Sequence, residues 1–187
     1  MSEKKIILAL VGPIASGKGV VVKYLTEKCQ AAAYRFSTVL RQILERVYSP
    51  ITRENMQLLS TILRKNFGED ILAKVIAGDI AKDDSSIIVI DGVRRLADIK
   101  YLEKMDGFKL VRVVADAQIR YQRLLARKEN QDDESKTYEQ FLTDEQGEAD
   151  AQVPEVMAKA SLEINNNGGL ENLYQQIESV IKDEQNN

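Results

Sequence analysis

The densest group of chemically capable residues lies near the start of the chain, in the segment Gly12-Pro13-Ile14-Ala15-Ser16-Gly17-Lys18-Gly19. Its spacing, GxxxxGK, is typical of a phosphate-binding loop, or P-loop. Successive backbone N–H groups point into one concavity, the following helix adds its dipole, and the lysine adds a positive charge. A glycine turn with an exposed lysine is the alternative interpretation. We expect a polyphosphate site formed by Gly12, Ala15, Ser16, Gly17, Lys18, Gly19 and Val20.

One position of this loop departs from the usual pattern. A Ser or Thr normally follows the lysine and binds Mg²⁺ through its hydroxyl, whereas this chain has Gly19 and then Val20. Ser16 lies inside the loop and is not equivalent. A Mg²⁺ ion at this loop would therefore be held by water, by the phosphates and by a carboxylate from elsewhere in the chain.

A candidate for that carboxylate is Asp91, which ends the apolar run Ile87 to Ile90 and precedes Gly92. At the carboxyl end of a central strand, Asp91 would face the P-loop and could hold Mg²⁺ through water. Either Arg94 or Arg95 could then form a fork onto a second phosphate, and spacing does not decide between them. A turn aspartate before glycine is the competing interpretation of Asp91.

The elements that must position these residues alternate between strands and helices. Short apolar runs at 6–11, 87–90 and 110–115, with weaker ones at 33–36 and 161–164, predict parallel strands buried on both faces. Helical periodicity covers 20–28, 39–47, 52–67, 70–82, 96–105, 117–128 and 170–181. The alternation predicts an α/β, three-layer, doubly wound fold in one domain spanning 1–187.

Composition excludes several classes of site. The chain has 187 residues, no His and one Cys, so Ser-His-Asp triads, His-ligated metals, intrachain disulfides and Cys-cluster zinc sites are ruled out. A net charge of −3 gives no basic excess for nucleic-acid binding. No apolar stretch is long enough to span a bilayer, and we expect a cytoplasmic protein.

The segment from 128 to 150 differs from the rest of the chain, with nine acidic residues, two lysines and no arginine. We expect an exposed, partly helical insert that is either a solvated arm or a moving lid. Just before it, Arg123 and Arg127 lie four residues apart and would share one helical face, which is also typical of a solvated basic surface.

The lysine–glycine ending of the loop resembles adenylate kinase and its relatives among the P-loop nucleotide kinases. Phe36-Ser37-Thr38-Val39-Leu40-Arg41 is similar to the motif that opens their acceptor-site helix, with two residues fewer between Thr38 and Leu40. The resemblance implies acceptor-side helices at about 37–83, with Arg41 gripping the acceptor phosphate. A solvated helix arginine is the alternative for Arg41.

Two more motifs fit the same kinases. Asp91-Gly92 followed by an arginine resembles the end of their third strand, and their two arginines before the lid clamp the transferred phosphoryl group. The resemblance implies this role for Arg123 and Arg127, a lid-like insert at 128–150, and a five-stranded sheet in the order 2-3-1-4-5. Typical lids carry further arginines, which this insert lacks.

A closer resemblance covers nearly the whole chain and is to a family of archaeal and bacterial nucleotide kinase-like or dephospho-CoA kinase-like proteins whose acceptor is not settled. It is carried by the P-loop ending Gly-Lys-Gly, by Leu63 to Asp70, by Asp91 to Arg94, by Asp132 to Phe141 and by the Asn-rich turn at 165–169.

Together these motifs predict a phosphotransferase that uses ATP and Mg²⁺ and acts on a small-molecule nucleotide, as a monomer or a homodimer. The predicted catalytic residues are Lys18, Asp91, Arg123 and Arg127, and the predicted acceptor ligands are Arg41, Arg64, Arg94 and Arg95.

The acceptor is the least determined part of this prediction. Dephospho-CoA kinases usually carry an aspartate just after the second strand, where this chain reads Tyr34 to Arg41 without a carboxylate. A phosphate acceptor needs no general base, so a nucleoside or deoxynucleoside monophosphate is favoured over a hydroxyl. Hydroxyl transfer of the dephospho-CoA kinase type and a nucleotide-binding regulatory ATPase without kinase turnover remain alternatives.

Overall fold

The computed structural model describes residues 5–127, 136–145, 147 and 151–186. These residues form a five-stranded parallel sheet in the order β2-β3-β1-β4-β5. This confirms the predicted α/β fold class and strand order. The strands are β1 (Ile6–Val11), β2 (Ala32–Arg35), β3 (Ile87–Asp91), β4 (Phe108–Val114) and β5 (Leu162–Asn165).

Helices cover both faces of the sheet. Those before β4 are α1 (Lys18–Lys28), α2 (Phe36–Arg46), α3 (Arg53–Phe67), α4 (Ile71–Ile80) and α5 (Leu96–Ile99), followed by a 3₁₀ turn at Leu102–Lys104. Those after β4 are α6 (Ala117–Arg127), α7 (Tyr138–Asp144), α8 (Val153–Ala158) and α9 (Leu170–Asn186). No helix among the described residues is both long and apolar enough to cross a membrane.

The central strand β1 divides the core into two halves. All six of its side chains are buried, and because strand side chains alternate, they serve opposite faces. Ile7, Ala9 and Val11 join one apolar cluster with α2, α4 and α8, whereas Ile6 and Leu8 join a second cluster with α1 and α9. Burial on both faces explains why β1 is a continuous apolar run, and it fixes the position of the P-loop that follows.

Two local differences separate the structure from the sequence prediction. The single helix expected at 96–105 is instead the four-residue α5 and the 3₁₀ turn, which lets the chain turn tightly into β4 so that the Gly107 carbonyl accepts from the Ile7 N–H. Helix α8 was not predicted, because its six residues are too short for helical periodicity. Pro154 in its first turn is the signal that could have marked its start.

Candidate functional site

The P-loop leaves β1 and enters α1 through a backbone shape that depends on glycine. Gly17 caps α1 with φ 105°, and Ala15 also has a left-handed φ of 59°. A Cβ on Gly17 would lie 2.0 Å from Asn166 Nδ2, and one on Gly12 would lie 2.3 Å from the Val113 carbonyl oxygen. Side chains at these two glycines would therefore collide with the walls of the loop.

Lys18 folds back over the loop it terminates. Its Nζ donates to the carbonyls of Gly12 at 2.7 Å and Pro13 at 2.9 Å. Ser16 is completely buried inside the loop. The ammonium group is thus held at the mouth of a helix N-terminus, which is the arrangement that binds the oxygens of a polyphosphate.

The Asn-rich turn after β5 holds the far side of the loop. Asn166 is buried, and its Nδ2 donates to the Ser16 carbonyl at 2.8 Å. Arg123 Nη2 donates in turn to the Asn166 carbonyl at 2.9 Å. Arg123 Nη1 is also buried, and it meets no hydrogen-bond acceptor among the residues that the structure describes. A buried donor without an acceptor is costly, so this nitrogen suits an anionic ligand beside the P-loop.

A second arginine supports the P-loop and was not among the predicted site residues. Arg120 is buried and donates to the carbonyls of Ala115 at 2.9 Å and Ile14 at 3.2 Å. It also forms a salt bridge with Glu145, to which Nη2 donates at 3.1 Å, and it stacks over the Phe141 ring. Arg120 therefore joins the P-loop to the segment after α7. Nothing in the sequence distinguishes it from the neighbouring arginines, because the distinction is burial.

Asp91 stands at the carboxyl end of β3, as predicted. The parallel register pairs Ile90 with Ala9, so Asp91 lies just below the P-loop at the point where the order of the strands reverses. Its carboxylate forms an ion pair with Arg35, whose Nη2 lies 2.7 Å from Oδ2. Arg35 was not among the predicted site residues, although its place at the end of β2 made it available.

The predicted acceptor arginines have different surroundings. Arg64 is buried and paired with Asp98 at 2.8 Å, which holds α3 against α5. Arg95 pairs with Glu69 at 3.1 Å, and the backbone N–H groups of Arg94 and Arg95 both donate to Asp98. The side chains of Arg41 and Arg94 are exposed.

The structure therefore gives Arg64 a structural contact rather than an open position. Arg127 is the last residue of α6, one helical turn after Arg123. Its side chain lies outside the described residues. The same holds for most of the expected lid at 128–150, of which residues 136–145 and 147 are described.

The donor atoms near the P-loop suit Mg²⁺ that arrives with phosphates. Among the described residues, no three His, Cys, Asp or Glu side chains group together as a metal site. Asp91 places a carboxylate at the end of β3, and Mg²⁺ commonly uses one or two carboxylates plus phosphate oxygens and water. A Cβ at Gly19 would meet no atom within 4 Å, so space for hydrating water remains where a hydroxyl usually stands.

A cavity of about 440 Å³ opens beside the P-loop, between its first residues and α8. Its walls are largely apolar and are formed by Pro13, Ile14, Arg112, Glu145, Val153, Pro154, Met157 and Ala158. A second cavity of about 280 Å³ lies where β2 meets α2 and α4 and includes Tyr34. Burial and a hydrogen bond to Asp83 raise the pKa of Tyr34 to about 12, so its hydroxyl is a donor at neutral pH and not a base.

Among known proteins, UPF0200 proteins are similar to this chain over nearly its whole length. A UPF0200 protein of Staphylothermus marinus is 29% identical over 179 residues, covering 96% of this chain and 93% of its own. A UPF0200 protein of Pyrococcus furiosus is 29% identical over 180 residues, covering 94% and 95%. The chain therefore spans nearly the whole length of both relatives.

Solved structures share the fold at low sequence identity. A shikimate kinase from Bacteroides thetaiotaomicron matches with a TM-score of 0.62 and 13% identity, over 95% of this chain and 97% of its own. The protein TT1252 from Thermus thermophilus matches with a TM-score of 0.60 and 16% identity, over 96% and 98%. At these identities the likeness establishes the P-loop kinase fold alone.

The family itself is established by a sequence model that starts at the last residue of β1 and includes the P-loop, Asp91 and α6. Its description is "AAA domain", and it matches residues 11–140, more than half of the chain. With its P-loop, its kinase-type strand order and this match, the chain belongs to the AAA domain family and has the P-loop kinase fold.

Proposed function

We propose that this protein transfers the γ-phosphoryl group of Mg-ATP to a nucleotide-type acceptor, most readily a nucleoside or deoxynucleoside monophosphate. The observation that carries the proposal is the P-loop itself, in which Lys18 lies over the loop carbonyls at 2.7 and 2.9 Å and Gly17 opens helix α1. The kinase-type fold of solved structures supports the same reaction class.

In this proposal the chain acts by positioning and by charge, which supply most of the rate in phosphoryl transfer. Lys18 and the backbone N–H groups of the loop hold the donor phosphates. The buried Nη1 of Arg123, which meets no acceptor among the described residues, would donate to the phosphate chain, and Arg127 follows on the same helix. Bound Mg²⁺, which Asp91 would hold through water, supplies charge neutralisation between the phosphates.

The acceptor side is supplied by arginines that follow β2 and β3 along the chain. Arg41 on α2 and Arg94 after β3 are exposed and are the proposed ligands of the acceptor phosphate, with Arg95 next to Arg94. Arg64 is not a proposed ligand of the acceptor phosphate, because its side chain is 8% exposed and bound to Asp98.

Charge at the end of β2 supports a phosphate acceptor over a hydroxyl. A hydroxyl acceptor benefits from a carboxylate base, and the residue that faces Asp91 here is Arg35. Transfer to a hydroxyl, as in dephospho-CoA kinases, is the second candidate, with Asp91 as its base.

Two further expectations from the sequence stay predictions: that the protein is cytoplasmic, and that it is a monomer or a homodimer.

The test is a coupled assay of ADP release from Mg-ATP, with separate pools of nucleoside monophosphates, deoxynucleoside monophosphates and dephospho-CoA. We expect one monophosphate pool to stimulate turnover, and we expect Lys18→Ala to lower that turnover by about 10²- to 10³-fold, the loss typical of removing one group that stabilises transition-state charge.

Lys23→Ala is the matched control, since Lys23 lies on the same helix with its side chain exposed to solvent. It should retain the wild-type rate. Stimulation by dephospho-CoA alone would replace the first candidate by the second. Nucleotide binding without stimulation by any pool would contradict kinase turnover and favour a regulatory nucleotide-binding protein.

A further inference from the structure

The ion pair between Arg35 and Asp91 joins the carboxyl ends of two neighbouring strands. The two residues are partners in the parallel register of β2 and β3, and their charged atoms lie 2.7 Å apart. The carboxylate is 14% exposed and the guanidinium 52% exposed. Asp91 is therefore held in place while Arg35 stands at the solvent side of the pair.

Asp91 is also the carboxylate that would hold the hydrated Mg²⁺ of the nucleotide. Two cations then compete for one carboxylate, because pairing with the guanidinium cancels most of the charge that attracts the metal ion. The loop cannot compensate with the usual hydroxyl, since the residue after Lys18 is Gly19. Metal binding therefore depends more strongly on Asp91 than it would in a loop with that hydroxyl.

We propose that Arg35 is an acceptor-recognition residue that exchanges Asp91 for an anionic group of the acceptor, so that acceptor and Mg²⁺ strengthen each other's binding. The inference rests on the proposed phosphoryl transfer. It narrows the acceptor to a molecule that carries a phosphate or another compact anion near its reactive oxygen.

The chemistry of the pair favours such an exchange. Arginine presents a planar fork of N–H donors that matches the oxygens of a phosphate as well as those of a carboxylate. An ion pair with one partner half in water contributes little net free energy, so an arriving dianion can displace the carboxylate at small cost. Arg35 caps the start of α2, whose exposed Arg41 belongs to the proposed acceptor site.

The sheet contains a second ion pair between register partners, which does not involve Asp91. Arg112 on β4 and Glu163 on β5 are register partners with their charged atoms 2.6 Å apart, and their side chains are 41% and 42% exposed. The pair has similar chemistry and also joins register partners on parallel strands, but it lies on β4 and β5, across β1 from Asp91. Arg112→Met is therefore the control for Arg35→Met.

The experiment is a titration of free Mg²⁺ into the full chain saturated with the non-hydrolysable analogue AMPPNP, followed by calorimetry and by thermal stability. Without any acceptor, we expect Arg35→Met to bind Mg²⁺ about three- to fivefold more tightly than wild type, the scale of one partly exposed charge pair. Asp91→Asn should weaken Mg²⁺ binding and abolish the effect of Arg35→Met. Arg112→Met should match wild type.

Inorganic phosphate then serves as the probe for the acceptor anion. At equal free Mg²⁺, phosphate should tighten Mg²⁺ binding in wild type and have no such effect in Arg35→Met. Equal Mg²⁺ affinity in wild type and Arg35→Met, or no effect of phosphate on wild type, would overturn the exchange. If the exchange is observed but no acceptor pool supports turnover, the proposed kinase activity fails and the coupling of Arg35 to Asp91 stands.

Discussion

The two sides of the candidate site treat positive charge differently. On the P-loop side, Lys18 and Arg123 donate to backbone carbonyls, and Arg120 combines such bonds with a salt bridge to Glu145. On the other side, arginines meet carboxylates, in the pair Arg35–Asp91 at the ends of β2 and β3 and in the pair Arg64–Asp98 between α3 and α5.

The difference separates a preformed anion site from one that must rearrange. Carbonyls of Gly12, Pro13 and Asn166 hold Lys18 and Arg123 in place, so the P-loop side has its shape before phosphate oxygens arrive. A carboxylate partner cancels most of the charge of an arginine. A ligand anion that binds Arg35 must therefore displace Asp91, and the cost of such a displacement depends on how deeply the ion pair is buried.

The largest expected effect concerns the buried ion pair between Arg64 and Asp98. Asp98→Ala removes the partner of Arg64 and the acceptor for the N–H groups of Arg94 and Arg95. Leaving a buried guanidinium unpaired should lower the free energy of unfolding by about 3–5 kcal/mol, measured by denaturant titration. Glu69→Gln, at an exposed pair with Arg95, should change it by less than about 1 kcal/mol. Equal effects of the two substitutions would show that burial does not separate these pairs.

A smaller effect tests the preformed side. Gly17→Ala places a Cβ 2.0 Å from Asn166 Nδ2 at a residue with φ 105°. We expect the affinity for ATP, measured by calorimetry, to fall about tenfold, since such backbone strain costs about 1–3 kcal/mol. Gly19→Ala is the matched substitution, because its Cβ meets no atom within 4 Å and it lies within helix α1. ATP affinity that falls equally in both variants would contradict a preformed loop.

The smallest effect concerns a surface ion pair beside α4. A hydrogen bond from Lys100 is the main cause that lowers the pKa of Asp70, and the hydroxyl of Tyr101 adds to it. A lowered folded-state pKa stabilises the protein above the unfolded-state value of about 3.9, and this contribution is lost as pH falls through the folded-state pKa.

The Lys100→Met variant should therefore lose less thermal stability than wild type as the pH falls from about 5 to about 2. The reason is that the variant lacks most of the stabilisation that protonation of Asp70 removes. The variant and wild type should converge at the acid end. Parallel curves over the whole range would show that the pair does not act through Asp70.

The sequence predicted the sheet well because its signals are strong and local. Continuous apolar runs such as Ile6 to Val11 occur where both faces of a strand are buried, and the P-loop spacing is specific. The placement of Lys18 and Asp91 at neighbouring strand ends follows from the same pattern.

Partners of the arginines could not be predicted, because they depend on tertiary contacts between distant residues. Arg64 and Arg120 look like the other arginines in the sequence, yet both are buried. Arg35 lacked any motif, and its significance comes from the register that sets it opposite Asp91. Sequence spacing identifies which residues can bind phosphate, whereas burial decides which of them are committed to the fold.

The bond between Asn166 and Ser16 spans 150 positions of the chain. During synthesis the P-loop leaves the ribosome before its far wall, which is translated only after β5. A nascent chain therefore carries the glycines and Lys18 for a time without the side chain that closes the loop. The shape of the nucleotide site is completed only when strand β5 has taken its place at the edge of the sheet.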